Sequence, residues 1–211
     1  MGARISTGPR NKQDYATPAD FMAAVTGRFG PIAFDLAAHA GNAKSPHYFA
    51  PVTGPEGPLP FDPEAYAMDA FDHSWSHLSC SRCRNDGRKG LLWLNCEFND
   101  IPRWAGRVKE ESAKGANILL LTPASVGTVW FDTLIASHAN VYLLKGRIPF
   151  IPGEPYNKDC MLSHFVSPSD RDLHSPAIKF PSICMWDWRK DNITHIWHME
   201  RTAPCPKTPA R

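Results

Sequence analysis

"LLWLNCEFNDIPRW", residues 91–104, couples a short apolar run to an abrupt polar tetrapeptide, Asn95-Cys96-Glu97-Phe98. The run is continuous rather than alternating and too short for an ordinary helix, so it reads as a strand buried on both faces. Asp100 then stands where a helix begins, and Trp104 and Val108 repeat at a four-residue spacing toward Gly115. A buried strand that delivers polar groups at its carboxyl end and passes into a helix is the unit of an open α/β sheet. Ligands of such sheets bind beyond those strand ends.

The same alternation extends in both directions. In "TPADFMAAVTGRFG" (17–30), Thr17 is placed to cap a helix with Pro18 at its first position, Phe21, Val25 and Phe29 repeat every four residues, and Gly30 marks the stop. "PIAFDLAA" (31–38) is a compact strand ending in Asp35, and residues 39–90 are a long irregular stretch. Downstream, "NILLLTPA" (117–124) predicts a buried strand, "TVWFDTLIASHA" (128–139) a helix and "NVYLLKGRIPFI" (140–151) a strand pair or bent strand. After a loop over 152–180, "SICMWDW" and "THIWHM" predict two more strands. The expected fold is α/β, a mostly parallel sheet with antiparallel C-terminal strands. The domain is expected over 14–200, between a flexible N-terminus (1–13) and a flexible tail (201–211), with a Cys/His-containing basic insertion at 73–90.

Composition sets limits on function. The chain has 211 residues, 43% hydrophobic and 21% charged, enough for one folded domain and unlike a disordered chain. A net charge of +2 does not by itself announce nucleic acid. No apolar run approaches the length of about 18 residues that crosses a membrane, and the N-terminus lacks the apolar centre of a secretory signal. A cytoplasmic protein with no membrane partner is expected, so its six cysteines are reduced thiols or metal ligands.

"HSWSHLSCSRC" (73–83) offers His73, His77, Cys80 and Cys83, a set that suits tetrahedral zinc, although tighter than the usual two-knuckle spacing; a surface loop with reduced thiols is the alternative. Arg82, Arg84, Arg88 and Lys89 follow, a cluster that can neutralise DNA phosphates or form a solvated charged loop. The 152–180 stretch, with Lys158, His164, Arg171, His174 and Lys179, reads as a lid or target-reading loop.

"DYATPADF" (14–21), "FDLAAHAGNAKSPHYF" (34–49), "LLWLNCEFNDIPRW", "LLLTPASVGTVWF" (119–131), "LLKGRIPF" (143–150) and "FPSICMW" (180–186) resemble, in that order, the phage-type DNA N6-adenine methyltransferases of the Dam-like family. The resemblance implies a Rossmann-like fold, S-adenosylmethionine as cofactor, DNA as substrate and a phage or prophage gene acting in a bacterial cytoplasm. By position, it implies cofactor contacts at Thr17, Pro18, Asp35, Ala37, Asn42 and Lys44. Asn95 and Phe98 match the ends of the family's Asn-Pro-Pro-Phe/Tyr catalytic tetrapeptide, and Cys96-Glu97 replace its two prolines.

The chemistry explains what such a tetrapeptide must do. A flipped adenine costs a few kcal/mol of stacking and pairing, which an aromatic face such as Phe98 offsets by about 1–3 kcal/mol. The exocyclic amine is a weak nucleophile because its lone pair is delocalised. Two acceptors, the Asn95 side-chain carbonyl and the Cys96 backbone carbonyl, draw the nitrogen toward tetrahedral geometry. Replacing the prolines removes rigidity but neither carbonyl.

Several alternatives stand beside these roles. Glu97 can take up a proton, bind a cytosine amine or face solvent; Cys96 can be considered as a thiolate nucleophile; Asp35 can hold a loop, and Asn42 and Lys44 can serve turns. Methylation of cytosine N4, or cofactor or DNA binding without catalysis, are the competing functions.

Overall fold

Residues 16–54, 57–79, 90–151, 153–166 and 181–198 are described by a computed structural model of the chain. In chain order they form helix α1 (Ala19–Phe29), strand β1 (Ile32–Asp35), four two-residue strands β2 (Phe49–Ala50), β3 (Thr53–Gly54), β4 (Gly57–Pro58) and β5 (Ala67–Met68), strand β6 (Leu91–Leu94), helix α2 (Ile101–Ala113), strand β7 (Ile118–Pro123), a π-helical segment (Phe131–Ala136), and strands β8 (Asn140–Leu144), β9 (Cys160–Phe165), β10 (Ser182–Asp187) and β11 (Asn192–His198).

Seven strands make one sheet in the order β1-β6-β7-β9-β8-β10-β11. β1, β6 and β7 are mutually parallel and β10 is parallel to β8, whereas β9 runs against both its neighbours and β11 against β10. The fold is the expected Rossmann-like α/β type with a largely parallel sheet. Two placements differ from the sequence reading. β10 is a parallel strand, and the principal reversed strand, β9, lies inside the sheet rather than at its edge.

β9 also removes part of the expected 152–180 loop. "CMLSHF" carries Ser163 and His164, whose polarity argues for a loop, yet all six residues are buried. His164 Nε2 lies 2.8 Å from Asn117 Oδ1, so its polarity is satisfied within the core. The segment from 167 to 180, with Arg171, His174 and Lys179, is outside the described residues.

The continuous apolar runs arise because helices cover both faces. On one, Phe21, Met22 and Val25 of α1 meet Leu91, Trp93, Leu119, Leu121 and Trp186. On the other, Ile101, Ala105 and Val108 of α2 and Phe131 and Ile135 meet Leu92, Leu94, Ile118, Leu120 and Met161. Each fully buried large side chain contributes about 1.5–3 kcal/mol, so this alternation within β6 and β7 fixes their register. Gly90 precedes β6 where a Cβ would stand 2.7 Å from that of Ala33, which only glycine permits.

Helix boundaries follow the sequence with corrections. Gly30 ends α1 at a φ of 98°. Pro18 is the N-cap residue of α1, and no side chain caps it; the Thr17 hydroxyl has another partner, described below. Asp100 occupies the N-cap of α2 without a capping bond and instead pairs with Arg103 at 3.6 Å. The helix expected over 128–139 narrows to a short turn and the π-helical segment, and only Asn140–Leu144 of the expected 140–151 strand pair is strand.

Candidate functional site

β1 and β6 are parallel neighbours, with Asp35 opposite Trp93 and the Leu36 N–H donating to the Trp93 carbonyl at 2.9 Å. Their carboxyl ends therefore release Asp35 and Asn95 side by side, the placement expected for a ligand site in such a sheet. A cleft of about 1290 Å³ opens there. Thr17, Asp35, Ala37, Asn42, Lys44, Asn95 and Glu97 all line it; Pro18, Cys96 and Phe98 do not.

Asp35 is buried, 2% exposed, and holds the loop that follows it. Its Oδ2 accepts the Lys44 N–H at 2.9 Å and its Oδ1 accepts the Ala37 N–H at 3.3 Å. Burial pushes its carboxyl up to about 6, while those two amides and the Lys44 ammonium pull the other way. Lys44 is itself lowered by burial, against the opposing influence of Asp35. Asn42 closes the turn inside this loop, accepting the His39 N–H at 2.8 Å. Asp35 and Asn42 thus shape the loop with their side-chain oxygens, and the loop surrounds one end of the cleft with backbone.

At the other strand end, the amide nitrogen of Asn95 donates to the Thr17 hydroxyl at 3.1 Å. Thr17, 4% exposed, receives the nitrogen end of that amide. Cys96 turns inward to the core, 4% exposed, and burial raises its thiol far above the ordinary range, so the thiol stays protonated. Burial thus argues against the thiolate reading of Cys96. Glu97 is exposed on the cleft wall, and its carbonyl accepts the Asp100 N–H at 3.2 Å. The Phe98 ring lies against Tyr156, 6.0 Å between centroids, and Tyr156 in turn meets Phe150 edge-on at 5.3 Å. Phe150, not Phe98, is the member of this aromatic chain that lines the cleft.

Sequence reasoning passed over several residues here. Phe150 had a signal in the quoted "LLKGRIPF", whereas Tyr156 and Phe71 lay in stretches read as irregular. Arg103 places its guanidinium 3.8 Å from the centre of the Phe71 ring, and Phe71 packs on Trp104 at 4.5 Å. Tyr48 donates to Asp62 at 2.9 Å, which secures the segment carrying Phe61 at the cleft.

Among the described residues, five carboxylates, Asp35, Asp62, Asp69, Glu97 and Asp100, line the cleft against two cations, Lys44 and Arg103. An acidic surround fits S-adenosylmethionine, whose sulfonium and ammonium outweigh its one carboxylate, and the volume admits that molecule together with a base.

Of the expected zinc set, Cys80 and Cys83 lie outside the described residues. The His73 ring stacks on Phe49 at 5.1 Å, and among the described residues no group of three or more His, Cys, Asp or Glu is disposed to hold a metal. His77 lies on a short 3-10 turn, Ser76–Ser79. Arg82, Arg84, Arg88 and Lys89 also fall outside the described residues. Among those described, no helix is long and apolar enough to cross a membrane.

Residues 67–163 match the family model described as DNA N-6-adenine-methyltransferase (Dam). The chain is also similar to a "predicted O-methyltransferase" from Agrobacterium tumefaciens, at 14% identity over 65% of this chain and 76% of that one, with a TM-score of 0.35. No curated protein matches the chain. The α/β sheet, its cleft and the family match define a methyltransferase. The matched span is somewhat less than half of the chain and includes Asn95-Cys96-Glu97-Phe98; S-adenosylmethionine is the donor that such a family implies.

Proposed function

We propose that this chain transfers a methyl group from S-adenosylmethionine to the N6 amine of an adenine flipped out of DNA. The observation that carries the reading is the convergence, in one cleft, of the Asp35 loop with an Asn95 amide oriented by Thr17. The cofactor, when bound, supplies an electrophilic methyl on a sulfonium.

The residues of the chain do the rest. Thr17, Ala37 and the backbone of the 36–44 loop hold the cofactor, and Lys44 meets its carboxylate. The Asn95 side-chain carbonyl accepts one N–H of the target amine, which localises the nitrogen lone pair for attack; Cys96, which does not line the cleft as it stands, would reach the second N–H only through its backbone carbonyl. Phe150, backed by Tyr156 and Phe98, offers the apolar face that offsets unstacking, worth about 1–3 kcal/mol. Glu97 stands at the cleft wall where a proton leaves the methylated amine. Cys96, anchored in the core, holds the tetrapeptide in the place of a rigid proline.

The test is transfer of labelled methyl from S-adenosylmethionine to unmethylated genomic DNA, followed by digestion and nucleoside mass spectrometry. N6-methyladenine is the expected product. N4-methylcytosine would reassign the base, and cofactor binding without any methyl transfer would make the chain a binding protein on this fold.

A further inference from the structure

We propose that Arg103 is a phosphate-binding residue for the target strand, held ready by an aromatic shelf. The inference rests on the reading of DNA as substrate and goes beyond it in assigning a contact at the cleft wall.

Four observations converge on it. Arg103 lines the same cleft as Asn95 and Glu97, one helical turn beyond the tetrapeptide. Its guanidinium carbon lies over the Phe71 ring, 3.8 Å from the ring centre, with 59% of the side chain exposed. Phe71 is fixed in turn by Trp104 at 4.5 Å. The ion pair with Asp100 is long, 3.6 Å, and exposed on both sides, so it contributes little and yields easily to a stronger anion.

The contrast with Arg107, one turn along α2, sharpens the argument. Arg107 donates to the His73 carbonyl at 2.8 Å and pairs with the buried Glu111 at 3.3 Å, so it serves the fold. Among the described residues Arg103 has no such internal partner, only the exposed pair with Asp100. Stacking leaves the edge of a guanidinium able to donate, and that edge matches phosphate oxygens in a bidentate geometry that lysine does not reproduce. The shelf also restricts the side chain before binding, which lowers the entropy lost when the contact forms. Of the two cleft cations, Lys44 belongs to the Asp35 loop and the cofactor end. Arg103 stands at the tetrapeptide end, where a flipped nucleotide brings its backbone.

The experiment compares wild type with Arg103→Gln and Arg103→Lys on duplex oligonucleotides containing adenine, with S-adenosylhomocysteine present, across a salt series. The expected result for Arg103→Gln is DNA affinity lowered about tenfold, with the slope of log affinity against log salt reduced by about one. Arg103→Lys should restore the slope but not all of the affinity, and S-adenosylhomocysteine affinity, measured by calorimetry, should be unchanged in both. An unchanged salt slope in a variant that still methylates DNA overturns this assignment alone. A loss of S-adenosylhomocysteine affinity instead assigns Arg103 to the cofactor carboxylate and also overturns it. Absence of DNA binding by the wild type at every salt concentration removes the DNA reading and this inference together.

Discussion

The Thr17 hydroxyl accepts a hydrogen bond from Asn95 Nδ2 at 3.1 Å, joining the approach to α1 to the end of β6 across 78 positions of sequence. With its nitrogen on Thr17, the Asn95 side chain directs its carbonyl elsewhere. Thr17→Val keeps the shape and removes the acceptor. A lost hydrogen bond of this kind costs roughly 0.5–1.5 kcal/mol, so single-turnover methylation should slow about two- to tenfold while cofactor affinity changes less. Thr17→Ser should retain wild-type rates, and equal rates for Val and wild type would remove Thr17 from the orientation of Asn95.

Burial of Cys96 argues against a covalent role for its sulfur. Its buried thiol is held protonated, and the proposed contact of residue 96 with the target amine uses only backbone. Cys96→Ala removes a small buried volume at a cost of about 1 kcal/mol. Turnover should stay within about threefold of wild type when stability is allowed for. A loss of several orders of magnitude in a folded variant would mean that the sulfur itself takes part.

Asp35 makes stability depend on pH in a definite direction. Its carboxyl is raised from 3.8 to about 6 in the fold, because burial outweighs the two loop amides. The native state therefore binds the proton more tightly than the unfolded chain. The contribution is fully present below about pH 4 and is lost as pH rises through about 6, a difference on the order of 3 kcal/mol. Asp35→Asn should flatten the curve of unfolding free energy between those pH values relative to wild type. Its loop, with one amide of Ala37 or Lys44 facing a donor, should hold the cofactor less tightly. Parallel curves for the two proteins would place the titration elsewhere.

How far the sequence alone was legible follows from where the energy lies. β6 and β7 could be read because burial on both faces leaves an unbroken apolar record, and α1 because Phe21, Val25 and Phe29 keep a helical period up to Gly30. Asp35 and Asn95 could be placed at strand ends for the same reason. β9 could not be read, since Ser163 and His164 argue for a loop, whereas His164 finds its partner in Asn117, just before β7 and distant in sequence, and Ser163 is buried with its hydroxyl unpartnered among the described residues. The Phe98 ring was assigned to the cleft from its motif position, but a position in a motif does not say which way a ring turns. Tyr156, more than fifty residues away, is what it packs against, and Tyr156 in turn meets Phe150.

Glu111 gives the sharpest test of how the fold supports the cleft wall. Its side chain is fully buried on α2, and its Oε2 accepts the N–H groups of Trp75 at 2.7 Å and Ser76 at 3.2 Å together with the Ser74 hydroxyl at 3.2 Å. Its Oε1 pairs with Lys114 at 2.8 Å and Arg107 at 3.3 Å. Burial alone raises this carboxyl, but Lys114, the Trp75 amide and Arg107 together hold it below the usual range. Its stabilisation is therefore present above the ordinary carboxylate pKa and fades on acidification, the opposite sense to Asp35. Glu111→Ala leaves buried donors and a cation without their acceptor, and breaking such a network costs roughly 3–5 kcal/mol. Glu111→Gln should recover part of this, because one oxygen remains to accept the amides. The segment so anchored carries Phe71, the shelf beneath Arg103, so a variant that still folds should lose DNA affinity before it loses cofactor affinity. Denaturant unfolding and the two binding measurements on the same preparations check both parts. A change in stability below about 1 kcal/mol for the alanine variant would show that the donors find water instead.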